Sequence, residues 1–369
     1  MILEIIAWIV IVFALMRLIV ASLNYFTRPY LRDYPLSSHP FVSILIPARN
    51  EEKNLPLLLE SLIKQDYTNY ELIVYDDHSE DGTRQILQQY AEKDQRVSWM
   101  RGNQQIPPGW TGKNHACHQL VKKAGGDILL FLDADVVVST DMLKKAIGTF
   151  RYYRLSLLSL FPHQLMRSRG EWLTVPLMNW ILLGLLPLVL VRKSPKPSLA
   201  AANGQFMMFD ARGYKAHLWH KQVRQNLAED IIISRMMKKY GYDTATLLGK
   251  NDVMCRMYSS WREAVNGFAK NVLEFFGGNP LMAIGYILLT FSGVVVIPLS
   301  LGRGWFGFYI LLVLLIRIFI SLASMQSVWK NIRLHLLQMA SFLYIVVKGI
   351  KVKLTGHYQW KGRTTGGNL

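Results

Sequence analysis

The sequence predicts an α/β domain with a largely parallel sheet, held between apolar segments long enough to cross a membrane. In the middle of the chain, short apolar runs alternate with stretches of helical character, which is typical of strands joined by crossover helices. Three of these runs end in acidic clusters. Both ends of the chain carry apolar stretches close to the length of about 20 residues that crosses a bilayer.

Composition and charge exclude several other classes. The chain has 369 residues, 51% hydrophobic and 18% charged, which excludes a disordered or low-complexity protein. Its two cysteines, Cys117 and Cys255, are too few for a disulfide framework or a zinc cluster. The net charge of +17 suggests a nucleic-acid partner, but residues 275–369 carry nine Lys and Arg and no acid. Because this region is also the most apolar, the bases indicate membrane flanks, and we expect no nucleic-acid partner.

The N-terminal segment is predicted to be a membrane anchor. Residues 5–23 are apolar apart from Arg17 and one serine, and two arginines follow within ten residues. A cleaved signal peptide would need a basic start and a shorter apolar core, whereas this N-terminus carries Glu4. We therefore interpret residues 1–25 as an uncleaved anchor in the cell membrane, with the following domain in the cytosol.

The C-terminal region, residues 280–350, is predicted to hold two or three further spans. Residues 281–301 are uncharged and residues 305–325 contain one arginine, so both are strong candidates. Residues 334–347 fit either a short span or an interfacial helix. The basic tail, residues 351–369, favours a cytosolic position, which leaves the number of spans open.

The soluble middle of the chain divides into strands and helices in a regular order. Apolar runs bounded by polar or turn residues predict strands over residues 42–46, 72–75, 97–100 and 128–132. Helices are predicted over residues 51–65, 83–93 and 114–124, and later from residue 229 to about 240.

A further apolar stretch, residues 176–191, lies within this domain. It contains an asparagine and a proline and ends in two bases, which favours a helix at the membrane surface or a re-entrant segment over a full span. Ordinary core packing explains it almost equally well.

Acidic side chains follow three of the predicted strands, in residues 47–51, 76–83 and 133–135. Ligands of parallel sheets bind at the carboxyl ends of the strands, so these clusters mark the edge where a site is expected. Asp133 and Asp135 are two residues apart in extended chain and point to the same side. Such a pair can hold Mg²⁺ or Mn²⁺ together with phosphate oxygens.

Two loops resemble known ligand motifs without meeting their requirements. Residues 77–88 begin like a calcium loop, but Gln88 stands where a bidentate glutamate is needed. The G-W-T-G-K loop, residues 109–113, lacks the spacing of a P-loop and is followed by Asn114 where that motif has a hydroxyl. Lys113 at a helix start still suits a diphosphate.

Two other polar groups have ordinary structural explanations. Glu229 and Asp230 begin a predicted helix, where acids commonly interact with the helix dipole, so the residues alone leave capping and catalysis open. His115, Cys117 and His118 follow Lys113 on the same predicted helix and have no further metal-ligand partners at suitable spacing, so we interpret them as ordinary helix residues.

The motifs taken together carry a resemblance. V-S-I-L-I-P-A-R-N-E, L-I-V-Y-D-D-H-S-E-D-G-T, G-W-T-G-K, L-F-L-D-A-D and A-E-D-I occur in this order. In that order they resemble family 2 glycosyltransferases of the A-type nucleotide-diphospho-sugar fold, over residues 40–275. The N-terminal anchor, the C-terminal helices and a W-K-G-R tail at residues 360–363 are similar to the carotenoid- and hopanoid-associated subgroup.

The resemblance implies a role for each matched residue. The donor-binding set is Ala48, Glu51, Asp76, Asp77, Lys113, Asp133, Glu229 and Arg256. Within it, Ala48 and Asp76 are expected beside the base. Asp135 is expected to ligate the divalent metal and Asp230 to act as the general base. For Arg256, facing the diphosphate and forming a structural ion pair remain equally open.

The resemblance implies an inverting, metal-dependent transfer of one sugar from a nucleotide-diphospho-sugar, with a UDP-sugar as the expected donor. The expected acceptor is a hydroxyl of a membrane lipid such as a carotenoid or another isoprenoid. One base suffices for such an in-line displacement. Residues 255–262 lack the Q-x-x-R-W motif of processive synthases, which disfavours a polymerase. The alternatives are transfer to polyprenyl phosphate or another glycolipid, and a non-enzymatic membrane scaffold.

Overall fold

The computed structural model of the protein describes residues 1–36, 38–102, 105–355, 359–360 and 363–364. Its strands, in chain order, are β1 (Val42–Ala48), β2 (Tyr70–Asp76), β3 (Val97–Arg101), β4 (Ile128–Leu132), β5 (Val136–Val138), β6 (Leu157–Phe161), β7 (His163–Gln164), β8 (Phe206–Asp210), β9 (Thr244–Leu248), β10 (Val253–Cys255), β11 (Gln359–Trp360) and β12 (Arg363–Thr364).

The helices alternate with the strands in the middle of the chain and follow one another at its end. They are α1 (Ile2–Thr27), α2 (Leu55–Ile63), α3 (Thr83–Lys93), α4 (Gly112–Lys123), α5 (Met142–Tyr152), α6 (Arg169–Thr174), α7 (Pro176–Leu185), α8 (Leu188–Lys193), α9 (Ala211–His217), α10 (Trp219–Gln222), α11 (Glu229–Lys239), α12 (Trp261–Asn271), α13 (Pro280–Phe291), α14 (Gly293–Ser300), α15 (Arg303–Ala323), α16 (Val328–Arg333) and α17 (His335–Thr355). Short 3₁₀ turns occupy Pro197–Leu199 and Val272–Phe276.

The predicted α/β fold with a largely parallel sheet is confirmed. Among the described residues, seven strands form the central sheet in the order β3-β2-β1-β4-β8-β6-β9. The neighbours β3-β2, β2-β1, β1-β4 and β6-β9 are parallel, whereas β8 runs antiparallel to both β4 and β6. The start of β8 therefore lies beside the end of β4, and the polar residues just before β8 join the carboxyl edge of the sheet.

Both faces of the sheet are buried, as is usual for parallel strands. In β1, Ile44 and Ile46 belong to one apolar cluster with α2 and α5, and Leu45 between them belongs to another with α4 and α11. The alternation follows from the period of two along a strand. It also explains why the predicted strands read as continuous apolar runs.

The predicted strands and helices of the first half of the domain are confirmed, and their bounds lie within two residues of the predicted ones except at the start of α2. The helix predicted from residue 51 begins at Leu55, because residues 51–54 form a turn in which the Glu51 carbonyl accepts from the Asn54 and Leu55 amides at 3.1 and 2.9 Å. Pro56 occupies the first turn of that helix, where its missing N–H costs nothing.

Three helices are long and apolar enough to span a membrane within the described residues, namely α1, α15 and α17. The N-terminal span and two C-terminal ones therefore agree with the prediction. The weakest predicted segment, residues 334–347, belongs to the longer helix α17, whose basic residues after position 347 extend it. Residues 361–362 of the W-K-G-R tail, and most of the basic tail, lie outside the described residues.

Residues 281–301, predicted as a strong candidate for a span, do not form one of the three long apolar helices of the described residues. This segment consists of α13 and α14, separated at Ser292. At about 1.5 Å per residue neither helix covers the roughly 30 Å of a bilayer core. Tyr309 of α15 packs at this break. Its hydroxyl donates to the Thr290 carbonyl at 3.1 Å, and its ring fills the space beside Gly293. Helix α12 with its 3₁₀ turn meets α13 at 95°, and this bent pair is a possible fourth crossing.

The apolar stretch at residues 176–191 also forms two short helices, α7 and α8, which are broken around Pro187 and packed against α1. Leu177, Trp180 and Leu183 are buried there in the same cluster as the apolar side of α1.

The approach of β1 to the turn before β4 makes one glycine obligatory. A Cβ on Gly126 would lie 2.5 Å from the Ser43 amide nitrogen and 2.8 Å from the Ile128 carbonyl oxygen, which are backbone atoms of paired strands. We expect Gly126→Ala to destabilise the protein by about 1–3 kcal/mol through overpacking, measured as a lower thermal unfolding midpoint in detergent. The control is Gly125→Ala, where the nearest atom is 3.5 Å away; equal midpoints for the two variants would contradict this account of the strand packing.

Candidate active site

A cavity of about 690 Å³ opens at the carboxyl edge of the sheet. One side of it is polar and is formed by the start of α4, the end of β4, the segment before β8 and the start of α11. The other side is formed by α7 and α17, which contribute apolar side chains, and by the α12 region, which contributes both apolar and polar ones. The polar residues of the first side are Thr111, Lys113, Asp133, Asp135, Asn203, Gln205, Asn226, Glu229 and Asp230. The cavity is also lined by the polar residues Ser198, Arg235, Tyr258, Glu263, Asn266, Lys270, Asn271 and Glu274.

Lys113 is the centre of the polar side. Its Nζ lies 2.9 Å from Asp133 Oδ1 and 3.0 Å from Glu229 Oε1, so one cation pairs with two carboxylates. Burial on its own lowers the pKa of Lys113, but Asp133 and Glu229 outweigh it and raise the pKa well above the ordinary value. The lysine therefore stays charged at any physiological pH.

The local fold explains why Glu229 reaches Lys113 from a distant part of the chain. Thr111 caps α4 by accepting from the Asn114 amide at 3.3 Å, which places Lys113 in the first turn. The buried Asn114 side chain donates to the Val223 and Asn226 carbonyls at 2.9 and 3.0 Å. These bonds hold the loop that leads directly into α11, where Glu229 begins.

Asp230 is fixed by backbone donors on both oxygens. Its Oδ1 accepts from the Ile231 amide and its Oδ2 from the Gly204 amide, each at 2.8 Å. Burial and the neighbouring Glu229 raise the pKa of Asp230 to about 7, although Lys113 and the two amides act in the opposite direction. The carboxyl can therefore gain or lose a proton near neutral pH.

Asp135 lines the same cavity. Gln205 Nε2 is 3.2 and 3.3 Å from its two oxygens and 2.9 Å from Cys255 Sγ. Burial, followed by the charges of Asp133 and Glu51, raises the pKa of Asp135 to about 6. The excess of negative charge around Asp135 is what a divalent cation would relieve.

The donor set suits a cation that also needs ligands from a bound substrate. Within the described ranges, no three His, Cys, Asp or Glu residues converge on one point. Asp133 and Asp135 offer two carboxylates, and Mg²⁺ commonly binds to one or two carboxylates while phosphates and water complete its shell. The residues present therefore fit Mg²⁺ or Mn²⁺ in the company of a phosphate ligand.

The segment before β8 contains site residues that sequence reasoning missed. Gly204 donates its amide to Asp230, and a Cβ there would lie 2.8 Å from Lys113 Nζ and 3.0 Å from Glu229 Oε1. Gln205 holds Asp135. The Asn203-Gly204 pair is a recognisable turn signal, but only the antiparallel β8 places that turn at the site.

Four expected donor residues lie at the ends of β1 and β2, outside the lining of the cavity. Ala48 and Asp76 are partners in the register of the two strands. Asp76 is buried and accepts from the Ser79 amide at 3.0 Å, while Asp77 follows it and is also buried. Glu51 is close enough to raise the pKa of Asp135. These residues share the edge of the sheet with the cavity, and their contact with a nucleotide stays a prediction.

Arg256 is not among the residues that line the cavity. Its Nε lies 2.8 Å from Glu171 Oε1, and Glu171 is fully buried as part of the capping box of α6. The structural ion pair considered from the sequence is thus present, and a donor-binding role for Arg256 stays a prediction.

The shifted pKa of Asp230 predicts a pH-dependent stability difference. An ordinary Asp titrates near 3.8, so between about pH 4 and 7 the folded protein keeps a proton that the unfolded chain releases. The contribution of Asp230 to the free energy of unfolding therefore falls as pH rises to about 7 and is constant above that value. Asp230→Asn removes this loss, so its unfolding free energy relative to wild type should rise with pH up to about 7 and then level.

In the Asp230→Asn variant, the side-chain NH₂ group faces one of the two backbone N–H donors. This adds an offset to the unfolding free energy that does not depend on pH. Thermal unfolding of both proteins across this pH range measures the difference, with the exposed Asp33→Asn as the control. A difference that does not change with pH would contradict the raised pKa.

Comparisons with known proteins find similar glycosyltransferases. The sequence model described as "Glycosyl transferase family 2" matches residues 43–211. The 4,4'-diaponeurosporenoate glycosyltransferase of Staphylococcus haemolyticus is 29% identical over 235 residues, which is 63% of this chain and 60% of that protein. The beta-monoglucosyldiacylglycerol synthase of Trichormus variabilis is 34% identical over 129 residues, 34% of this chain and 27% of that protein. The chain thus matches about three fifths of the first relative's length.

Among solved structures, a mannosyltransferase from Pyrobaculum calidifontis in complex with GDP-Man and Mn²⁺ is similar with a TM-score of 0.55 and 17% identity. The similarity covers 94% of this chain and 99% of that one, and it supports the fold. Residues 43–211, which contain the acidic strand ends, match the sequence model of glycosyl transferase family 2, and the chain has an A-type glycosyltransferase fold.

Proposed function

We propose that the protein is a membrane-bound inverting glycosyltransferase that moves one sugar from a UDP-sugar to a lipid. The acceptor is a hydroxyl of a lipid such as a carotenoid or another isoprenoid. The observation that carries the proposal is the two-sided cavity, in which the Lys113 and Asp230 cluster faces an apolar wall. The domain would face the cytosol, at the membrane held by α1, α15 and α17.

The apolar wall supports a lipid acceptor. Helix α7 contributes Leu177, Met178, Ile181 and Leu182 to the cavity, and the candidate span α17 contributes Phe342 and Ile345. A site for a soluble acceptor has no need of a wall built on a membrane helix. The two similar curated proteins are named for a carotenoid acid and for a diacylglycerol lipid, which agrees with this reading.

The polar side supports transfer from an activated sugar. Asp230, with its pKa near 7, is suited to take the proton from the acceptor hydroxyl as that oxygen attacks the anomeric carbon. The bond from that carbon to the diphosphate breaks, and Lys113 in the first turn of α4 is placed to face the departing negative charge. Asp133 and Asp135 would hold a divalent cation that neutralises the diphosphate when it is bound.

The experiment that tests this function incubates membranes containing the protein with a panel of labelled nucleotide sugars and extracts the lipids. We expect one sugar to appear in a lipid product, and membranes without the protein are the control. Label found only in protein or in soluble polysaccharide would contradict the lipid acceptor.

Replacing the proposed base tests its role. We expect Asp230→Asn to lower kcat by about 10²–10⁴, the usual contribution of a positioned base. Wild-type activity should fall as pH drops through about 7, because the protonated carboxyl cannot accept a proton. Glu229→Gln removes the charge that raises this pKa, so the acidic limb should move to lower pH.

Initial rates from pH 5 to 9, with Asp33→Asn as a control, measure both effects. Unchanged turnover in Asp230→Asn would refute the base and favour an acceptor that is already anionic, such as polyprenyl phosphate.

The metal assignment has its own test. We expect Asp135→Ala to abolish the part of the affinity for UDP that depends on Mg²⁺ or Mn²⁺, because one of two carboxylates is lost. Calorimetric titration with and without EDTA measures this part. Asp141→Ala, which alters an ion pair with Lys145 outside the cavity, is the control. A wild-type protein without any metal-dependent affinity for UDP would favour the scaffold alternative.

A further inference from the structure

We infer that the N-terminal membrane helix α1 positions the acceptor wall and is more than an anchor. Two of its polar side chains, Arg17 and Asn24, hold helix α7, whose other side lines the cavity. The inference rests on the proposed function, because it assigns to α7 the role of receiving the lipid. Arg17 and Asn24 are positioning residues in this scheme and touch neither the donor nor the acceptor.

Asn24 closes the break between α7 and α8. Its Nδ2 donates to the Leu183 and Leu186 carbonyls at 3.0 and 2.9 Å, and its Oδ1 accepts from the Leu188 amide at 2.8 Å. A helix break inside an apolar environment exposes carbonyls and amides that have no water to bind. One fully buried side chain satisfies three of these groups, and so determines where α7 ends.

Arg17 holds the middle of α7. Its Nη2 donates to the Trp180 carbonyl at 3.0 Å, and its guanidinium carbon lies 4.1 Å from the centroid of the Trp180 ring. Gly184 provides the space, since a Cβ there would lie 2.8 Å from Arg17 Nη2. A charged side chain buried in a membrane helix is unfavourable unless its contacts compensate. The hydrogen bond and the shortest of its ring contacts are with Trp180 of α7, and the guanidinium carbon also lies 5.3 Å from the Tyr286 ring centroid of α13.

The same tryptophan connects α7 to the C-terminal spans. The Arg317 guanidinium carbon of α15 lies 3.9 Å from the Trp180 ring centroid, and its Nη2 lies 2.8 Å from Nδ1 of His335, the first residue of α17. Helix α7 is therefore positioned by α1 from one side and by α15 and α17 from another. The arrangement places α7 relative to α17, which carries the facing part of the cavity wall.

Helix α7 presents different sides to α1 and to the cavity. At about 100° per residue, Trp180, Leu183 and Gly184 lie on one side of the helix, and the cavity-lining positions 178, 181, 182 and 185 lie roughly opposite. Leu177, which also lines the cavity, lies at the boundary between the two sides. A shift or rotation of α7 that follows the loss of the α1 contacts would move the lining side chains directly. The polar cluster would keep its geometry, since it belongs to α4, β4 and α11.

The test separates acceptor recognition from donor binding. Full-length Asn24→Leu and Gly184→Ala proteins are prepared in membranes, together with Ser22→Leu on α1 and Gly307→Ala in α15 as matched controls, since a Cβ at Gly307 meets nothing within 4 Å. We expect the two test variants to raise KM for the lipid acceptor at least about tenfold, as loss of buried hydrogen bonds would. Their kcat and their metal-dependent affinity for UDP should remain at wild-type values.

Two results would overturn the inference. One is that both test variants bind UDP normally and keep the wild-type KM for the lipid. The other is a parallel loss of UDP binding and lipid transfer, which would assign the contacts to general stability. The proposed function fails separately, when wild-type membranes form no labelled lipid from any nucleotide sugar.

Discussion

The pairing of Lys113 with Asp133 and Glu229 is the interaction on which the site depends. It joins three elements that are distant in sequence, the start of α4, the end of β4 and the start of α11. Lys113 forms its ion pairs with Asp133 and Glu229, and Asp135 and Asp230 lie in the same cavity. Burial, followed by the charges of neighbouring carboxylates, raises the pKa values of Asp135 and Asp230. In the proposed reaction, Asp135 would bind the divalent cation and Asp230 would accept the proton.

The second constraint is the membrane. Because α7 and α17 form the apolar wall, the polar cluster and the lipid-facing helices share one cavity. The break in α7–α8 would be unfavourable in an apolar environment without Asn24, and the buried Arg17 and Asn24 of α1 both donate hydrogen bonds to carbonyls of that segment. Anchoring and substrate recognition would then depend on the same helices, so the enzyme would meet its acceptor without releasing it into water.

Much of the fold was predictable because the buried strands leave a local signature. The runs at β1, β2 and β4 are apolar on both faces, and the acidic residues that follow them mark the functional edge of the sheet. The antiparallel β8 was not predictable, and with it Gly204 and Gln205 were missed, since their place depends on long-range strand pairing. The break at Ser292 escaped for a similar reason, because it is accompanied by a tyrosine from another helix rather than marked by a charge. The ion pair of Arg256 with Glu171 likewise joins distant segments, and sequence alone left it open.

The central claim is that lipid and activated sugar meet in one cavity, and a photoreactive residue in place of Ile181 tests it most directly. Membranes carrying this variant are supplied with the labelled nucleotide sugar that the protein uses and are then irradiated. The account predicts that lipid captured at position 181 carries labelled sugar, whereas lipid captured at Leu288, an exposed position on α13, is bulk lipid without label. Equal labelling at the two positions, or labelled lipid that is never captured at position 181, would contradict it.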